Sequence, residues 1–179
     1  GMPSDLRTKL LGWKYRDKDG RKSDLAIYVI VASRLGLPRS SVNVLIDEYL
    51  RTDEACKAWH DGVAQHHGIR PEAVKRWPNI LGNGGSYATC LARAGLPPDS
   101  PRDPRVERMQ AQLKKLRPAI VTASRTKPNA LWPGSEQFVD RHDARLQRDR
   151  PHLQPRERFN KVYSYLVETA EDKILTIHA

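Results

Sequence analysis

Arg70-Pro-Glu-Ala-Val-Lys-Arg-Trp-Pro-Asn-Ile-Leu-Gly-Asn-Gly-Gly-Ser-Tyr87 reads as a basic helix running into a double-glycine turn, with an aromatic opening the next helix. Pro71 suits the first position of a helix, where the missing N–H is not needed. Lys75 and Arg76 ride on that helix, Gly84 and Gly85 form the turn, and Tyr87 follows Ser86. An ammonium and a guanidinium suit phosphates, bare backbone permits close approach, and a ring offers a stacking face. The stretch therefore suggests a nucleotide site. The competing reading is a solvated surface helix closed by a glycine C-cap.

The same helical grammar extends in both directions. Residues 24–36 hold a continuous apolar run that Ser23 or Asp24 can cap and that Gly36 and Pro38 stop. Its valines and isoleucines leave a buried strand open for part of it. Ser40-Ser41 caps a second helix with Val42, Leu45, Ile46, Tyr49 and Leu50 on one face, and Asp53 caps a third carrying Trp59. Ser86 begins a further helix, closed by Gly95 and Pro97-Pro98. After the proline-rich segment 96–104, Pro104 starts a long helix with Val106, Met109, Leu113, Leu116 and Ile120 on one stripe. Pro118 should kink or end it. Residues 125–135 read as irregular. Pro155 starts a last helix with Phe159, Val162, Tyr163, Leu166, Val167 and Ile174 as its apolar face. The fold class is mainly α: a helical single domain, with a small N-terminal β element as the variant. Residues 1–98 form a fingers-like helical region and 99–179 a basic helical extension.

A chain of 179 residues is long enough for one real core. The formal net charge of +10 favours a polyanionic partner, nucleic acid before an anionic membrane surface. No apolar run is long enough to span a bilayer. Cys56 and Cys90 lie far apart, with neither disulfide nor zinc spacing, which fits a reducing, intracellular compartment. Gly1 before Met2 looks like a tag-cleavage scar, and the last helical pattern is still running at Ala179.

The charge is uneven. Residues 101–161 hold fifteen Lys/Arg against seven Asp/Glu. Arg141, Arg145, Arg148, Arg150, Arg156, Arg158 and Lys161 concentrate it, and arginine suits phosphate contacts. The alternative is a solvated helical face with i,i+4 pairs such as Glu157–Lys161. Asp17 and Asp19 form an Asp-x-Asp pair that would share one face of a strand and hold a divalent cation such as Mg²⁺. Asp-Lys-Asp-Gly is also what an exposed turn looks like, and composition favours the turn. Residues 33–50 resemble a helix-turn-helix, but its second helix offers Asp47 and Glu48 to DNA, which would repel it.

Taken together these pieces resemble a group of polymerase-like proteins of large DNA viruses and protists, with a palm-and-fingers layout. The resemblance runs over roughly residues 15–97 and 155–179. It rests on Asp17 and Asp19 ahead of Gly36-Leu37-Pro38, on the acidic stretch Leu45 to Glu54, on Lys75-Arg76 through Gly84-Gly85, and on Ser164 to Leu175. It implies catalytic metal at Asp17 or Asp19, a triphosphate contact at Lys75, and base packing at Tyr87. Four features depart from the pattern: Gly20-Arg-Lys-Ser-Asp-Leu25 where an apolar segment should follow Asp19, Pro78 inside the fingers helix, Asn83 in place of the aromatic before Gly-Gly, and no Tyr-Asp-Gly turn with a second aspartate. Two-metal phosphoryl transfer wants separated carboxylates, so the chain alone is not expected to polymerise. The resemblance implies a nucleic-acid- and nucleotide-binding fragment or relative of a replication protein. Charge alone implies a non-enzymatic helical DNA- or RNA-binding protein. A helical protein-interaction domain is the third reading.

Overall fold

The apolar run at 24–36 is helix. In the computed structural model, which describes residues 23–176 and the side chains of 25–173, α1 spans Ser23–Arg34. Leu25 through Val29, Val31 and Ala32 are all buried, so neighbours surround most of its circumference. A helix that is apolar nearly all round belongs inside a core, and burial there outweighs the weak helix propensity of valine and isoleucine. Gly36, at φ +62°, turns the chain out of it.

The helix expected from Ser40-Ser41 is instead a 3-10 turn, Arg39–Ser41, followed by a π-helical turn, Leu45–Leu50. The expected face is nevertheless the buried one: Val42, Leu45, Ile46, Tyr49 and Leu50 all lie in the core. Helix α2 (Asp53–His67) is capped by Thr52, whose hydroxyl accepts from the Ala55 N–H, and ends at Gly68 in the left-handed region. The quoted signature does not make one helix. It breaks into α3 (Pro71–Val74) and α4 (Trp77–Gly82), because Pro78 takes an N-terminal position in the second piece. Helix α5 (Tyr87–Arg93) starts with a capping box between Ser86 and Thr89.

Helix α6 (Pro104–Thr126) runs straight past the expected break, with Pro118 inside it. Both Pro118 and Lys114, four residues earlier, are exposed, so water can satisfy the carbonyl that the proline leaves unpaired. Helix α7 (Phe138–Asp149) was not anticipated, and α8 (Pro155–Thr176) begins where expected. Among the described residues there are eight α-helices and no strand. None of these helices is long and apolar enough to cross a membrane.

One hydrophobic cluster runs from Leu25 to Ala170 and draws on both halves of the chain. Helix α6 packs against α1, α2, α4, α5 and α7, while α8 lies on α1 and α7. Segment 96–104 therefore joins two parts of one core. A glycine in the middle of α2 allows the closest of these approaches. The Arg105 guanidinium lies on Gly62, donating to its carbonyl at 2.7 Å, and a Cβ there would sit 2.6 Å from Arg105 Cζ.

Alanine is the better helix former by roughly 0.5–1 kcal/mol. Gly62→Ala should nonetheless destabilise the protein by about 1–3 kcal/mol through overpacking. Chemical denaturation checks this, and the loss should shrink when Arg105→Ala removes the colliding group. An unchanged loss in the double variant would show that the collision is not the cause.

Candidate nucleic-acid interface

Helix α7 contributes few apolar side chains, and it uses them on one side. Val139 and Leu146 are buried towards α6 and α8, while Arg141, Arg145 and Arg148 remain exposed at i, i+4 and i+7. Between α7 and α8 lies an open groove of about 420 Å³, lined by His142, Arg145, Leu146, Asp149, Arg150, Tyr165 and Thr169. Tyr165 is 39% exposed and is the only large hydrophobic side chain exposed among the described residues.

The rings form a row. Trp132 meets Phe138 edge-on at 5.3 Å, Phe138 meets His142 at 4.0 Å, and His142 meets Tyr165 at 5.7 Å. Burial first, and then the nearby Arg145 charge, hold the His142 imidazole below its ordinary pKa and favour the neutral ring. The groove thus joins a partly exposed aromatic floor to cationic walls.

Not every cation there is available. Arg158 is held by Asp143 at 2.8 Å, and Arg145 and Arg148 share Asp149 at 3.4 and 2.9 Å. Arg141 bonds to Gln137. Among the described residues Arg150, Arg156 and Lys161 make no ion pair or hydrogen bond. The Glu157–Lys161 pair expected from spacing is not formed, and the Glu157 carboxylate accepts from the Gln154 N–H instead. Residues 138–161 hold seven Lys/Arg against four Asp/Glu, so a cationic surplus remains after pairing. A larger groove of about 500 Å³ lies between Ser40–Val44 and α6, but its Arg108 is held bidentately by Glu48.

The signature stretch is taken apart by the fold. Lys75 and Arg76 form the joint before α4, while Gly84 and Gly85 lie beyond its far end. Six helical residues separate them by about 9 Å along the axis. Gly84 is buried under the Arg117 side chain and Gly85 lies against Ile80. Tyr87 is 1% exposed, packed by Trp77 and His67 with the Arg102 guanidinium 4.8 Å from its ring centroid. Its role as a stacking face is therefore corrected, because the ring is already covered by the protein.

What Tyr87 does instead is link three helices. The Asp103 N–H donates to its hydroxyl oxygen at 2.6 Å, which leaves the O–H to donate to His67 Nε2 at 2.8 Å. The O–H donates in this way when His67 is neutral with its proton on Nδ1. Burial and the neighbouring His66 lower the His67 pKa below its ordinary 6.5, against the opposing pull of Asp103.

The unfolded chain then takes up a proton before folded His67 does. The stability that His67 contributes is complete above about pH 6.5 and is lost as pH falls below it. Urea unfolding between about pH 7.5 and 5 should show a shallower decline in His67→Gln than in the parent chain. Equal slopes would exclude His67 as the source. Tyr87→Phe should cost about 1–3 kcal/mol, since it orphans the Asp103 N–H.

Asp17 and Asp19 lie outside the described residues. Among those described, no group of three or more His, Cys, Asp or Glu side chains could hold a metal ion. Both cysteines are buried thiols outside any disulfide, and burial pushes the Cys90 thiol up to about 12. Tyr165 and His142 escaped the sequence reading because each looks like an ordinary member of an amphipathic helix. Only the packing of α7 on α8 places them together. Comparison of the chain with protein-family models, with curated proteins and with solved structures finds no match.

Proposed function

We propose that this protein binds single-stranded nucleic acid along the groove between α7 and α8. The observation that supports this best is the exposed Tyr165 beside His142, in a groove walled by Arg145 and Arg150. Bases of a single strand are free to stack, and their phosphates follow a cationic edge without sequence readout. Arg141, Arg145, Arg148, Arg150 and Lys161 are the phosphate contacts in this reading. Lys161 lies one helical turn from Tyr165, on the same stripe of α8. A duplex presents no open base faces, so the exposed ring favours single strands. No catalytic role is assigned to this surface.

Fluorescence anisotropy with a labelled single strand and the matching duplex, at several salt concentrations, tests this. The single strand should bind more tightly, with affinity falling linearly in log salt. Tyr165→Ala should weaken it by about 1–3 kcal/mol. Arg145→Ala should reduce the salt slope by about one contact, because Arg148 keeps its Asp149 partner. No binding at low salt sinks the proposal, and so does a Tyr165→Ala variant that binds like the parent.

The polymerase-like reading adds a distinct expectation. A matching deoxynucleoside triphosphate with Mg²⁺ should tighten primer–template binding, and Lys75→Ala should abolish the gain. Neither effect is expected from strand binding alone.

A further inference from the structure

Arg117 lies against the turn after α4, Arg156 lies one helical turn from its partner Asn160 on α8, and neither guanidinium has a carboxylate among the described residues. Arg117, in the middle of α6, lies half-buried over Gly84 and donates from Nη1 to Asn160 Oδ1 of α8 at 3.0 Å. Its Nε is buried without a hydrogen-bond partner. Arg156 sits one turn before Asn160 on α8, on the same stripe, near enough for its charge to oppose that of Arg117. It is exposed and makes no ion pair or hydrogen bond among the described residues.

The surrounding groups are neutral. Tyr28 donates to Asn83 Oδ1 at 3.3 Å, and the Tyr163 hydroxyl is buried with no partner. Elsewhere the protein matches its packed arginines with acids: Arg105 with Asp103, Arg158 with Asp143. Arg117 has no such counter-charge among the described residues. A half-buried cation beside a second cation opposes folding unless an anion compensates both. Burial accordingly lowers the Arg117 pKa from its ordinary value.

We propose that Arg117 and Asn160 at the Gly84 turn, with Arg156 one helical turn from Asn160 on α8, form a binding site for a phosphoryl anion. The chemistry selects that class. Two forked guanidinium groups call for an anion with several acceptor oxygens arranged around one centre, which a tetrahedral phosphoryl group supplies and a planar carboxylate, with two, does not. The Asn160 carbonyl is committed to Arg117, so its amide NH₂ is left to donate to the ligand. Gly84 has φ +91°, and a Cβ there would collide with the Arg117 guanidinium and come within 2.9 Å of Asn160 Oδ1. The double-glycine turn thus serves the site by seating the arginine. This site does not depend on the strand-binding reading, and Arg156 does not line the α7–α8 groove.

Thermal unfolding with inorganic phosphate, against chloride at matched ionic strength, tests the site. Phosphate should raise Tm beyond chloride. Arg156→Ala, which removes a side chain that bonds to nothing in the fold and a charge that opposes Arg117, should leave the phosphate-free Tm unchanged or raise it. Its phosphate-specific rise should vanish, with an apparent Kd weaker by at least about tenfold. Arg117→Lys, which keeps the charge and loses the fork, should also reduce the rise. Equal rises in phosphate and chloride overturn the proposal, and so does a full phosphate response in Arg156→Ala.

A second arm identifies the source of the phosphoryl group, using a labelled oligonucleotide titrated with and without phosphate. If phosphate competes in the parent and not in Arg156→Ala, the site takes a backbone phosphodiester. If oligonucleotide affinity is unchanged while phosphate still raises Tm, the site takes a free phosphoryl group. If no oligonucleotide binds, strand binding fails and the phosphate result stands by itself.

Discussion

The Asp103 carboxylate, fully buried, is the interaction on which the arrangement of helices depends. It caps α6 by accepting from the Arg105 N–H at 2.8 Å, and the Arg105 guanidinium donates to both of its oxygens. Burial opposes its charge, but the hydrogen bonds from Arg105 outweigh burial and hold its pKa below the ordinary 3.8. Such a pair is far costlier to break than its net contribution suggests, because either partner alone is a stranded charge. The same arginine reaches the Gly62 carbonyl of α2, and the Asp103 N–H reaches Tyr87 of α5. One residue thus sets where α6 begins and which neighbours it meets. Because α6 packs against five of the other helices and hydrogen-bonds to α8 as well, an error at its first turn would propagate through the core.

Much of this was legible in the sequence, and the reason is local chemistry. Pro71, Pro104 and Pro155 each open a helix, and Gly36 and Gly95 each turn the chain through the left-handed region. These residues act through their own backbone geometry and need no partner to be read. The misreadings come from tertiary context. Pro118 stays inside α6 because packing on several sides holds the helix together across one lost hydrogen bond. Helix α7 escaped notice because only Phe138, Val139 and Leu146 mark its apolar side amid charged residues, and that narrow stripe is stabilised by α6 and α8. The π-helical turn at Leu45–Leu50 is likewise set from outside. Gln112 of α6 accepts from the Leu45 N–H at 3.0 Å and donates to Asn43 at 2.6 Å.

The candidate site was legible in part, for the same reason. A run of arginines is visible in any composition count, but which of them are spent is a property of the fold. Asp143 and Asp149 absorb part of the charge on α7 and α8, and Glu48 neutralises Arg108 across the molecule. The cations left unpaired are fewer than the Lys/Arg count of 31 implies, and better placed. Exposed pairs such as Arg145–Asp149 are weak enough that a phosphate can displace the carboxylate at little loss. The free cations and the exposed ring of Tyr165 therefore define the surface more sharply than the sum of charges does.

The double-glycine turn shows how a correct local reading can leave the occupant of a close approach undetermined. Glycine there suggests backbone bared for a ligand. In the fold that space is taken by a guanidinium from α6, and the aromatic two residues on is buried by its own neighbours. Both features that looked like half of a binding site are used first for packing. Yet the arginine that occupies the turn arrives without a counter-charge, so the packing leaves an electrostatic demand that no described side chain meets. Sequence shows that a close approach occurs at Gly84. Only the arrangement of α6 and α8 shows that what approaches is a cation, and that its missing complement is an anion.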